Sequence, residues 1–142
     1  MVILKYINMH IKGIQKNVLS LLFQIGKDSY PNEFLAQLLH KDGIITDILI
    51  IPGTITSPVM AYIRDDVRPI MPNLAGTAHS HPNGVLFPSS TDVLHFSKIG
   101  GQCHLIFGSP FSQHSWRAFH ADGSPCTLNI VGDDDKDTSS HG

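Results

Sequence analysis

Charge is what this chain has least of: among 142 residues only 10 are Lys or Arg and 12 are Asp or Glu, a formal net charge of -2. Without a basic excess there is little to pair with a phosphate backbone, so nucleic acid is not an expected partner. Long apolar runs are also missing. No stretch reaches the ~20 apolar residues that a membrane-spanning helix requires, mean hydropathy is near zero, and no membrane association is expected. The first residues interrupt their apolar side chains with Lys5, Asn8, His10 and Lys12, unlike a secretory leader, and a cytoplasmic location is the resulting expectation. Cysteine is scarce. Cys103 and Cys126 form neither a CxxC pair nor a dense framework, which excludes a disulfide-stapled scaffold; they read as reduced, packed thiols, with a single disulfide as the alternative.

What is present is enough apolar material for a core. Hydrophobic residues make up 42% of the chain, and a chain of this size buries roughly 70% of its unfolded surface on folding. A single domain over residues 1–131 is expected, followed from Gly132 by an acidic tail without apolar residues that should be disordered. Ile11, Ile14, Val18, Leu22 and Ile25 recur at three- and four-residue steps, the pattern of one helix face, with Gly26 as a stop. Glu33–Leu39 and Ile44–Ile51 read as two strands of a hairpin around Asp42-Gly43. A short strand is expected around Val59–Ile63, and another over Leu74–Ser80. Ser89-Ser90-Thr91-Asp92 opens a helix running to about Ile99, with Gly100 and Gly101 as its stop. His104–Phe107 and Ser115–Phe119 read as further strands. Strands interleaved with helices in this way predict an α/β layered domain with a mixed sheet.

One segment carries chemistry. In His79-Ser80-His81, a strand places both imidazoles on one face, about 7 Å apart at their Cα atoms. The Pro82–Pro88 loop can then return Asp92, in the first helical turn, to the same point. Two neutral nitrogens and one carboxylate suit a single Zn²⁺ with its fourth position open to water, the arrangement of a catalytic rather than a structural site. Zinc lowers the pKa of water to about 7, yet a carboxylate must still take and redeliver the proton. Glu33 is the candidate, with Asp28 and Asp42 as weaker options, and Ser89 can donate a hydrogen bond to a developing oxyanion. Each residue also has an ordinary explanation: Ser89-x-x-Asp92 satisfies a helix-capping pattern, and capping and ligation can coexist. His95, one turn after Asp92, is read as a surface residue or as one that supports a ligand without touching the metal. His10, His40, His104, His114, His120 and His141 show no ligand spacing. Neither a His-Glu-x-x-His helix nor a Gly-x-Ser-x-Gly elbow is present.

Taken together, Glu33, His79-Ser80-His81-Pro82 and Ser89-x-x-Asp92, with seven residues between His81 and Ser89, resemble the JAMM signature of MPN-domain zinc metalloproteases over about residues 12–119. The resemblance implies a three-layer α/β/α fold of the cytidine-deaminase-like kind. It implies one zinc per chain on His79, His81 and Asp92, Glu33 as general acid/base, and Ser89 as the oxyanion-stabilising serine. It also implies hydrolysis of isopeptide bonds to ubiquitin or ubiquitin-like modifiers, whose conjugates would be the substrate partners. Ala36 stands where members of the family usually carry Gly. Compactness is similar to the prokaryotic and archaeal stand-alone members, while the Pro-x-Gly of Pro82-Asn83-Gly84 is similar to RadC-type proteins, a related branch. Two alternatives therefore stay open beside the isopeptidase: a non-catalytic MPN scaffold, and a RadC-like zinc protein acting on another substrate. Modifier identity, oligomeric state and any activating partner are not encoded in the pattern.

Overall fold

Helix α1 (Lys16–Ser29) buries Val18, Leu19, Leu22 and Gly26 along one side. The apolar stripe expected to begin at Ile11 does not all belong to it. Gly13–Gln15 form a short strand, β1, and Ile11 and Ile14 reach the same core from extended chain. A three-residue spacing of apolar side chains is compatible with both conformations over so few residues. Gly26 is not the stop either. The helix runs a further turn to Ser29, and Gly26 instead makes room for Phe111, whose ring carbon would lie 2.4 Å from an added Cβ. Pro31 ends the helix by forcing Tyr30 out of helical geometry (φ -52, ψ 135).

The structure, a computed structural model, describes residues 10–50 and 72–132. The strand expected at Val59–Ile63, Ile51, and residues 133–142 of the acidic tail lie outside the described residues. Strand β2 (Leu35–Lys41) and strand β3 (Ile44–Ile50) form the expected hairpin. Its turn is tighter than the sequence reading: His40 and Lys41 belong to the strand, and only Asp42 (φ 53) and Gly43 (φ 85) turn the chain, the type I′ geometry that Asp-Gly favours. At the other end Glu33 lies outside the strand rather than opening it. Strand β4 (Leu74–His81) leads into helix α2 (Ser90–Ile99), followed by β5 (Cys103–Gly108), β6 (Trp116–Phe119) and β7 (Asn129–Val131). Both β1 and β7 escaped the sequence reading, because three residues are too few to establish an alternation.

The seven strands form one mixed sheet in the order β6-β5-β4-β2-β3-β1-β7. Pairs β4·β5, β1·β3 and β1·β7 are parallel; β2·β3, β2·β4 and β5·β6 are antiparallel. Alternation along β5 divides the two faces. Cys103, Leu105 and Phe107 join α1 in a core with Ile14, Leu22, Phe34 and Leu38. Ile106 points the other way, into a smaller cluster with Phe96 of α2 and Phe119. The helices therefore cover opposite faces, giving the α/β/α layering. Burying each such side chain contributes about 1.5–3 kcal/mol before entropy is counted. Among the described residues no helix is long and apolar enough to cross a membrane.

Two features of β4 and β5 govern stability. Gly76 sits against the Cys103 backbone so closely that an added Cβ would lie 1.6 Å from its carbonyl oxygen. Gly76→Ala must separate the two parallel strands, and a loss of about 3 kcal/mol or more is expected; an unchanged urea midpoint would refute the close approach. The second is His104, fully buried, stacked on Phe96 at 4.2 Å and 2.8 Å from Thr77 Oγ1 through Nδ1. Burial, with a smaller contribution from neighbouring His79, pushes its pKa down to about 3. Its folded pKa lies below the unfolded value near 6.5, so its contribution is complete above pH 6.5 and is lost as pH falls from there toward 3. Urea unfolding should report up to about 2 kcal/mol less stability at pH 5 than at pH 6.5 from this group. A His104→Asn variant should show a shallower pH slope, and an equally steep one would remove His104 as the cause.

Candidate metal centre

Residues two apart on β4 share a face, and from Gly76 onward the odd positions face α2. His79 and His81 are thus side by side, with their Nε2 atoms 3.1 Å apart. The loop after His81 turns back to α2, whose first turn is organised by a reciprocal cap. Ser89 Oγ accepts from the Asp92 backbone N–H at 3.0 Å, and the Ser89 N–H donates to Asp92 Oδ2 at 2.8 Å. This holds the Asp92 carboxylate against both rings: Oδ2 is 3.1 Å from His81 Nε2 and Oδ1 is 3.5 Å from His79 Nε2. One donor atom from each residue lies within 4.8 Å of the others.

The tautomer of His81 follows from its second nitrogen. Nδ1 is 2.9 Å from the Val85 carbonyl, which can only accept, so Nδ1 carries the proton and Nε2 offers a lone pair, as metal-bound histidines are commonly arranged. With both imidazoles neutral and Nε2 unprotonated, their lone pairs and the ionised carboxylate would converge in a largely buried spot and repel one another unless a cation lay between them. The donor set of two nitrogens and one oxygen fits one zinc ion. His95 is outside this group. Among the described residues no other set of three His, Cys, Asp or Glu side chains converges in the same way.

Electrostatics act differently on the three groups. Burial alone would raise the Asp92 pKa, but hydrogen bonds from His79, His81 and the Ser89 N–H hold it far below the usual carboxylate range. Burial pushes His79 down against the pull of Asp92, favouring the neutral ring. For His81 burial also acts downward, yet Asp92, the Val85 carbonyl and Glu33 together keep it above its ordinary value. The two rings thus differ because His79 is shut away, 1% exposed, whereas His81 borders solvent.

Glu33 reaches the site through strand pairing. Leu35 is opposite His79 in the β2·β4 ladder, and two further bonds extend the register: Phe34 N–H to Ser80 Oγ at 3.0 Å, and Ser80 N–H to the Phe34 carbonyl at 3.2 Å. Glu33 is therefore carried to the level of His81. Both line a cleft of about 650 Å³ that also takes in Pro31, Pro82, Phe87 and Ser89. Burial raises the Glu33 pKa, Asp92 adds to this and His81 opposes it. Ser89, at the cleft rim, uses its oxygen to accept from Asp92, which leaves its hydroxyl hydrogen for another acceptor. Asp28 and Asp42 do not line the cleft. Reading by residue type overlooked Ser80 and the Val85 carbonyl. The first was legible in principle, since the residue between two same-face histidines must point into the opposite layer; the second is backbone and carries no side-chain signal.

Comparison with known proteins places this geometry in a family. Residues 15–121 match Prok-JAB, the prokaryotic homologs of the JAB domain. A protein of Haloferax volcanii described as a probable metalloprotease is 36% identical over 138 residues, covering 90% of this chain and 84% of that relative. A JAB1/MPN domain protein from Archaeoglobus fulgidus superimposes with a TM-score of 0.68 at 26% identity, over 84% of this chain and 98% of that one. A structure described as a JAMM metalloprotease-like zinc site in the proteasome and signalosome has the same fold, with a TM-score of 0.67 at 22% identity over 85% and 98% of the two chains. The chain belongs to the Prok-JAB family, the prokaryotic homologues of the JAB domain, and its His79-His81-Asp92 cluster sits on the JAMM/MPN fold as a single-zinc site.

Proposed function

We propose that this JAMM/MPN-type zinc metalloprotease is an isopeptidase that hydrolyses isopeptide or peptide bonds at the C-terminus of ubiquitin-like modifier proteins. The observation that carries the reading is one cleft lined by both His81, a member of the three converging donors, and a half-buried carboxylate, Glu33. The modifier as substrate rests on the resemblance to the JAMM signature, and the Haloferax relative supports proteolysis. A cleft bordered by Pro31, Pro82, Phe87 and Pro88 suits an extended, uncharged stretch of peptide.

His79 Nε2, His81 Nε2 and the Asp92 carboxylate would hold the zinc, which supplies Lewis acidity that acidifies water and polarises a carbonyl. Glu33 takes the proton from the attacking water. Its raised pKa makes it a stronger base for the uptake of that proton, and a carboxylic acid is still acidic enough beside an amine to deliver it later to the leaving lysine nitrogen. The Ser89 hydroxyl donates to the oxyanion as the carbonyl becomes tetrahedral. Val85 and the Ser89 cap keep His81 and Asp92 aimed, so little reorganisation remains for the reaction itself.

Glu33→Gln should retain one zinc per chain and lose cleavage of a modifier–lysine conjugate by at least about 100-fold; full activity with zinc bound would eliminate Glu33 as the base. Asp92→Ala should lose zinc together with activity. Purified protein without stoichiometric zinc would favour a non-catalytic scaffold, and zinc-loaded protein that cleaves no modifier fusion would favour a RadC-like zinc protein with another substrate. Ser89→Ala should lower kcat roughly 100- to 1,000-fold with little change in KM. The same change should cost about 1 kcal/mol of stability through the lost cap. A Ser89→Ala enzyme with normal kcat but lower stability would confine Ser89 to capping.

A further inference from the structure

We propose that Cys103 and Cys126 are a built-in disulfide site, closed by thiol–disulfide exchange with a small-molecule disulfide, that staples the strap between β6 and β7 to the sheet. The sulfurs are 3.5 Å apart, and about 1.5 Å of side-chain movement separates that contact from a bond of ~2.05 Å. Backbone pairing places both residues. Cys103 opens β5 on the same face as Leu105, and Leu105 is opposite Ala118 of β6. The Cys126 N–H in turn donates to the Ala118 carbonyl at 2.9 Å, and Pro125 forms a bridge with Phe119. Both side chains pack in the α1-side core. The pair is therefore across the sheet from His79 and His81 and plays no part in the metal centre.

The two thiols have unequal roles. Cys126 is half-buried and its pKa is held below the ordinary thiol value by the hydrogen bond from Cys103, so it is the one that ionises and meets solvent. Cys103 is 1% exposed, and its hydrogen bond to Cys126, with burial, pushes its pKa up. The Cys126 thiolate attacks one sulfur of R–S–S–R, forming a mixed disulfide and expelling R–S⁻. Cys103 then gives up its proton to the medium, and its sulfur attacks the Cys126 sulfur and expels the second R–S⁻. Two protein thiols are oxidised and one external disulfide is reduced to two thiols. The strap, residues 120–128, spans from one edge strand of the sheet to the other, so the bond ties a long return segment to β5, a strand paired on both sides. The bridged residues are 23 positions apart, a loop long enough for the restriction of the unfolded chain to be felt.

The test uses the whole zinc-loaded protein incubated with oxidised glutathione. Intact mass should fall by two hydrogens with no retained glutathione, peptide mapping should join Cys103 to Cys126 within one chain, and the melting temperature should rise by roughly 10 °C, reversibly with dithiothreitol. In a Cys103→Ser variant the reaction should stop at a glutathione adduct on Cys126. A wild-type protein that keeps a stable adduct, leaves both thiols open to alkylation, or cross-links only between chains would overturn the proposal.

Discussion

The rest of the structure depends on three electron-pair donors being held against their mutual repulsion. Neither ring of His79 and His81 would choose to set Nε2 3.1 Å from the other's Nε2. The geometry persists because each donor is fixed by something outside the cluster. The β4 pleat sets both rings on one face, the Val85 carbonyl fixes the His81 tautomer, and the α2 cap pins the carboxylate. Asp92 does two jobs with one side chain. As the third residue of the helix it closes the reciprocal cap, and in that position it has only one direction in which to point. The demand of helix termination and the demand of cation binding are met by the same rotamer.

The second constraint joins β2 to β4. Ser80 lies between the two ligating histidines, so it faces the α1 layer, where its hydroxyl accepts the Phe34 N–H. That bond extends the strand register beyond the end of β2 and carries Glu33 to the level of His81. The spacing of the Glu33 carboxylate from the metal site is thus set by a buried hydroxyl on the far side of the sheet. Ala36 is fully buried and paired with Ala78 and Ile50; both ladders run regularly past it and shift register only between Leu38 and His40.

Much of the site and about half of the fold were legible in the residues. Metal chemistry needs particular atom types at particular spacings, and His79-x-His81 with Asp92 opening a capped helix leaves few other interpretations. Asp42-Gly43 was legible for the same reason, since two successive positive φ values are demanding. The misreadings have a common origin. The spacing of Ile11 and Ile14 fits the α1 face because apolar spacing reports which side chains are buried, not which backbone delivers them. Gly26 reads as a helix stop because sequence cannot distinguish a glycine needed for conformation from one needed for space, and here Phe111 claims the space. The strand β7 was missed because its pairing with β1 is decided over more than a hundred residues of separation.

The two faces of the sheet are used unequally. The α1 face holds the broad apolar core, while among the described residues the buried apolar cluster on the α2 face is Phe96, Ile106 and Phe119, with Ala121 packed against it, beside the polar row of Thr77, His79 and His104. Of the ten residues of α2 only Asp92 and Phe96 are buried. Phe96 stacks on His104 and lies 6.2 Å from the His79 ring, so the helix is seated by one aromatic contact and one prospective metal ligand. A cation bound by the folded chain and not by the unfolded one adds its binding energy to the folded state. Here that energy would act on the element with the least apolar burial of its own. Chemistry and stability are therefore coupled on this face: removing apolar packing from α2 to make room for a polar site leaves the helix dependent on what the site holds.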